Sequence, residues 1–212
     1  MFKAFIRSLA VVLGLFPALA FAQIGTFPSQ GVTTGYLPKV TYSAAFFLLV
    51  PVTTANTDQV CISGSASKRI TVQRVTIWGT TATAPQTVPI NLVRRVTVDT
   101  GGTAGTTTAN PANTISKRDT GTGAASATLI SYTAAPTVTD SSPTYLDSQA
   151  MGMPIVTSVM APTAADFYFA RDTENNVQGP VLVGAAAQIC VNNGAALTNA
   201  SAWNGVIVWT EE

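Results

Sequence analysis

Histidine is missing from all 212 residues, and that absence removes more chemistry than the residues present supply. No Ser-His-Asp arrangement can form, the commonest general base is gone, and zinc or iron sites lose their imidazole ligands. The two cysteines, Cys61 and Cys190, are too few for a four-thiolate site and lack the Cys-x-x-Cys spacing of a redox motif. Each lies in a short strand-like segment, QVCISG and AQICVN. Strands far apart in sequence can be neighbours in a sandwich, so a Cys61–Cys190 disulfide is expected, with two buried free thiols as the alternative. Such a bond would close a loop of about 130 residues, worth about 4–5 kcal/mol in the chain-entropy account.

Carboxylates come next, because a glycosidase needs only two. Asp140 and Asp147 sit in a Ser/Pro-rich connection, and Asp166, Asp172 and Glu174 bracket the segment DFYFAR. Asp172, Glu174, Asn175 and Asn176 form an oxygen-rich turn, but it lacks the EF-hand spacing and final Glu, so a solvated turn is preferred to a calcium loop. The basic pairs Lys68-Arg69, Arg94-Arg95 and Lys117-Arg118 read as solubilising and are too few for a nucleic-acid groove. Trp78, Trp203 and Trp209 fall in strand contexts, which favours core packing over a platform for stacking sugars. Gly121-Thr122-Gly123 lacks the flanking strand and helix of a phosphate loop. No catalytic, cofactor-binding or metal-ligating residue is assigned, and no cofactor is expected.

The elements that would position these groups are strands. Lys68 to Trp78 alternates, with Ile70, Val72, Arg74, Thr76 and Trp78 on one face, and its apolar side changes near Arg74, which predicts a bulge or a strand passing from one environment to another. Residues 88–98 place Val88, Ile90 and Leu92 together, and Pro89 argues for a sheet edge or the first residues of the strand. Further strands are predicted at 126–133, 153–160, 166–171, 180–191 (split at Gly184) and 203–210. Residues 99–125 are rich in Gly, Thr and Asn and read as one long loop, of the kind that carries binding or assembly or is a plain surface excursion. No stretch holds a convincing helical period, and no repeat of 20–50 residues is present. The pattern predicts an all-β chain with a single β-sandwich, jelly-roll-like, over residues 58–212.

Ahead of it, residues 1–22 combine Lys3 and Arg7, an apolar run and a terminal Ala20-Phe21-Ala22, the pattern of a cleaved secretory signal. Residues 23–57 read as an extended N-terminal arm with a buried or swapped strand, TYSAAFFLLVPV. Its Phe46, Phe47, Leu48, Leu49 and Val50 are the expected assembly contacts. The chain carries 11 Lys plus Arg against 10 Asp plus Glu. So weak a net charge gives little attraction for nucleic acid or anionic lipid and little repulsion between copies. Export makes a disulfide permissible and places the protein in a secreted, extracellular or periplasmic setting, with no stable membrane insertion after cleavage.

The segments VCISGSASKRITVQRVTIWGT, VPINLVRRVTVDTGGTAGTTTANP and GVIVWTEE resemble small β-rich proteins of tailed-phage and environmental viral genomes, uncharacterised and taken to be virion components. The likeness covers most of residues 58–212, and the signal peptide departs from it. It implies a virion-associated, non-enzymatic structural or adhesion subunit that forms homo-oligomers, a trimer among them. The rival reading is a secreted carbohydrate- or surface-binding module, which would show exposed aromatics over a surface glycan site.

Overall fold

The computed structural model describes residues 39–104, 115–118, 123–138, 140, 144–169 and 179–212. The expected leader, residues 23–38 and the Asp172–Asn176 turn lie outside the described residues. Twelve strands alternate with turns, and no helix occurs among the described residues. They are β1 (Val40–Leu49), β2 (Thr57–Ser63), β3 (Ile70–Thr81), β4 (Gln86–Arg95), β5 (Thr103–Ala104) and β6 (Ile115–Lys117). There follow β7 (Thr128–Ala134), β8 (Thr144–Met153), β9 (Ala165–Tyr168), β10 (Val181–Leu182), β11 (Gln188–Asn193) and β12 (Ser201–Glu211).

Two antiparallel six-stranded sheets form a sandwich. The first runs β10-β3-β12-β1-β6, with β9 also on β3; the second runs β5-β7-β2-β11-β4-β8. The long strands pass back and forth between the sheets: β1, β3, β9 and β12 belong to the first, and β2, β4, β8 and β11 to the second. Alternate residues point inward and build one core from both sheets, including Phe46, Ile62, Ile77, Ile90, Met151, Phe167, Trp203 and Trp209. Tyr42 stacks on Trp209 with ring centroids 5.9 Å apart. Gly205 is required where it stands, since a Cβ there would lie 2.3 Å from the Phe46 ring and 2.6 Å from the Thr76 carbonyl oxygen.

The bulge expected near Arg74 is present at Gln73, because Arg74 pairs with Val208 and Val72 with Trp209. It lets Val72 and Val75 both turn inward. Several expectations are corrected. β4 is an inner strand between β11 and β8, and Pro89 is accommodated because it lies beyond Asn193, the last residue of β11, with its carbonyl accepting from the Gly194 N–H at 2.8 Å. The strand near 150 is 144–153, at the sheet's outer edge. The apolar residues 154–160 form turns instead, leaving Val156, Val159 and Met160 in solvent. The stretch 99–125 contains β5 and β6. The boundary expected at residue 57 falls within the sandwich, since β1 pairs with β12 and β6 of its own chain.

Candidate functional site

Antiparallel strands that alternate between two sheets gather their connections at two ends. One end carries the loops 50–56, 82–85, 154–164 and 194–200. Backbone bonds tie them in a row: Leu197 N–H to the Thr53 carbonyl (2.9 Å), Ala82 N–H to Ala200 (2.9 Å), and Thr81 N–H to Pro154 (2.9 Å). Asn193 holds the first loop, donating to the Thr54 carbonyl at 2.8 Å while its Oδ1 accepts the Thr57 N–H at 3.0 Å. Gln86 Oε1 holds the last loop, accepting from the N–H groups of Thr198 and Asn199, each at 3.2 Å.

None of these four loops contains an Asp, Glu, Lys or Arg. The opposite end holds Lys39, Lys68, Arg69, Lys117, Arg118, Glu211 and Glu212, with Lys39 ion-paired to Glu212. The uncharged end is apolar in solvent as well. Val156 and Met160 are 65 % and 71 % exposed and Val159 fully so, beside a cleft of about 290 Å³ lined in part by Pro85, Met153, Pro154, Ile155 and Met160.

The second apolar surface at this end comes from a bulge in β1. Phe46 pairs with Gly205 and Leu49 with Trp203, so Phe47 and Leu48 together oppose Asn204. The side-chain carbonyl of Asn204 accepts the Leu48 N–H at 2.9 Å. Leu48 takes φ +54°, a left-handed conformation that costs a branched residue roughly 1–2 kcal/mol. The extra residue turns Phe47 and Leu48 outward, 54 % and 47 % exposed, next to Val50. Phe46 and Leu49 point inward and belong to the core. Among the described residues β6 pairs with β1 at Tyr42–Ala44.

A second constellation lies on the outer face of the second sheet. Cys61 and Cys190 are directly opposite on β2 and β11 and form the disulfide. A buried disulfide fits an oxidising compartment. Around it, Arg95 grips Asp58 with two hydrogen bonds of 2.9 and 3.0 Å, and Asn192 Nδ2 donates to the same carboxylate at 2.7 Å. Asp99 Oδ2 lies 3.8 Å from Cys61 Sγ. Burial, and then the shared hydrogen bond and charge of Asp58, push the Asp99 carboxyl up to about 7. Burial, with Asp99 and Asp58 nearby, likewise pushes the Tyr132 phenol up to about 12. Asp99 Oδ1, the Tyr132 hydroxyl and Asn192 Oδ1 are buried and find no hydrogen-bond partner among the described residues. Asp58, Asp99 and the two sulfurs cluster within 4.8 Å, but sulfurs bonded to each other offer no thiolate to a metal.

The remaining sequence candidates are dispersed. Asp166 forms a two-bond ion pair with Arg74 and accepts from Thr76 Oγ1 at 2.7 Å. Asp140 accepts the Val96 N–H at 2.9 Å, and Asp147 lies on β8. Trp203 and Trp209 are fully buried and Trp78 half-buried, so the three do not make an open platform. The pair Arg94-Arg95, expected to solubilise, divides: Arg94 is exposed and Arg95 is 4 % exposed in its ion pair. The buried polar cluster was not foreseen. Its sequence signal is a polar residue within each cysteine-bearing strand, Asp58 in TDQVC and Asn192 in QICVNN. No family model, curated protein or solved structure matches the chain.

Proposed function

We propose that this chain is a non-enzymatic, exported structural or adhesion subunit of a virion or extracellular surface structure, and that it assembles with copies of itself through its uncharged end. The observation that carries the reading is that end: four loops without a charge, presenting Val50, Val156, Val159 and Met160 to water, beside Phe47 and Leu48 of the β1 bulge. Large apolar side chains exposed in two patches at one end mark protein contacts, and loops without carboxylate, ammonium or imidazole groups have nothing to move a proton with.

The strand order supports the reading by analogy. The orders β9-β3-β12-β1 and β8-β4-β11-β2 interleave as two Greek keys, the arrangement of a jelly roll, an architecture used by viral capsid and lectin domains. Phe47 and the 154–160 turn lie on different flanks of one end, separated by β12 and β3. An interface joining them would be head-to-tail, giving a ring such as a trimer where the rotation closes and a growing polymer where it does not. Light scattering coupled to size-exclusion chromatography on the chain from Gln23, without reductant, tests this. A discrete oligomer is expected, and Phe47→Asp with Val159→Asp should return it to monomer. A concentration-independent wild-type monomer would overturn the assembly reading.

A further inference from the structure

Residues 96–102 lie across the outer face of the second sheet, held by groups from several elements. The Val96 N–H donates to Asp140 Oδ2 at 2.9 Å, and the Asp99 N–H to Gln188 Oε1 on β11 at 3.0 Å. Thr100 and Thr137 exchange two backbone hydrogen bonds of 3.1 and 2.7 Å. Gly101 and Gly102, at φ +66° and +69°, then turn the chain back toward β5. The Asp99 side chain, 6 % exposed, points down to the disulfide.

The charges around Asp99 do not balance if it is ionised. Facing it are Asp58 from β2, Arg95 from the end of β4, Asp140 from the segment after β7 and the Tyr132 phenol from β7. Gln188 and Asn192, from β11, are neutral. The one guanidinium is engaged by Asp58 through both of its hydrogen bonds. A second buried carboxylate beside Asp58 is therefore accommodated as the neutral acid, sharing its proton with Asp58.

We propose that residues 96–102 are a proton-controlled cover over the Cys61–Cys190 disulfide, closed while Asp99 holds its proton and released as that proton is lost, which opens the disulfide to reduction. The sign follows from linkage. The carboxyl titrates near 3.8 when free and at about 7 when covered, so the closed form binds the proton more tightly. Its advantage is complete below about pH 4, shrinks by up to about tenfold per pH unit between 4 and 7, and is spent above 7. The inference does not depend on self-assembly, since every group involved lies within one chain.

The test is the rate at which a phosphine, tris(2-carboxyethyl)phosphine, reduces the bond in the native full-length chain between pH 4.5 and 8.5. In that reaction the phosphine attacks one sulfur and the S–S bond breaks. Water then takes the phosphorus to phosphine oxide, and two thiols are released for alkylation and counting by mass. Each rate is divided by that of oxidised glutathione in the same buffer, which cancels the titration of the reagent. The normalised rate should rise by tenfold or more from pH 5 to 7 and then level, whereas Asp99→Asn, whose amide can still donate to Asp58, should be flat. A flat wild-type profile, or an equal slope in Asp99→Asn, overturns the proposal. Should that variant not fold, amide exchange in the wild type decides. Protection of residues 96–102 should fall from pH 5 to 7 and lie well below that of β12 at pH 7, the mark of a local opening. Constant protection of residues 96–102, or protection equal to that of β12 at every pH, overturns it.

Discussion

Arg95→Met is the perturbation whose cost can be worked most directly from the geometry. Arg95 Nε and Nη2 lie 2.9 and 3.0 Å from the two oxygens of Asp58, and the side chains are 5 % and 0 % exposed. At such separations, with an effective dielectric near 20, the attraction is about 5.5 kcal/mol before the cost of desolvating both groups. Methionine keeps the aliphatic volume and deletes the charge. The Asp58 carboxylate then keeps the neutral Asn192 amide at 2.7 Å as a side-chain donor. Asp99 also loses the one nearby positive charge that opposes its raised pKa. Stranding one member of a buried ion pair costs about 3–5 kcal/mol, and the surviving Asn192 bond places this case at about 3–4 kcal/mol. Replacing both partners, Asp58→Asn with Arg95→Met, removes the stranded charge and should fall within about 1 kcal/mol of wild type. Urea unfolding at pH 7, oxidised and at fixed protein concentration, reads this through the buried Trp203 and Trp209. A cost below about 1 kcal/mol for Arg95→Met, or a double variant no better than the sum of the singles, would refute the reasoning.

Cys61→Ala with Cys190→Ala removes a bond spanning 129 residues and should lower stability by about 5 kcal/mol at most in urea unfolding, with a steeper slope because the unbridged denatured chain exposes more surface. Leu48→Gly should raise stability by about 1 kcal/mol, because φ +54° is free to glycine, and a lowered melting temperature would contradict the strain assigned to the β1 bulge. Gly205→Ala should cost about 2 kcal/mol or more, since the new methyl would meet both the Phe46 ring and the Thr76 carbonyl, and an unchanged thermal midpoint would count against that packing. Through Asp99 alone, folding stability should decline as pH rises from about 4 to 7, and Asp99→Asn should remove that decline in urea titrations across the range.

What the chain's order of residues determined was local. Alternation placed the strands around Val72, Ile90, Ile130, Phe167, Cys190 and Val206, because each needs only its own side chains to show which face is apolar. The switch of apolar side near Arg74 announced the bulge at Gln73 for the same reason. β8 was missed because an edge strand with one mostly solvated face, TYLDSQAMGM, shows little alternation. The apolar 154–160 looked like a strand because sequence registers hydrophobicity and does not register whether a neighbour is there to bury it. The candidate sites belong to the tertiary structure. Asp58, Arg95, Asp99 and Asn192 meet only because β11 lies between β2 and β4, and a buried charge is legible only beside its partner. The uncharged end likewise exists only once four separate loops share one side of the sandwich. Each of those contacts joins residues far apart in the chain, and the register between strands, which no single strand carries, decides which of them touch.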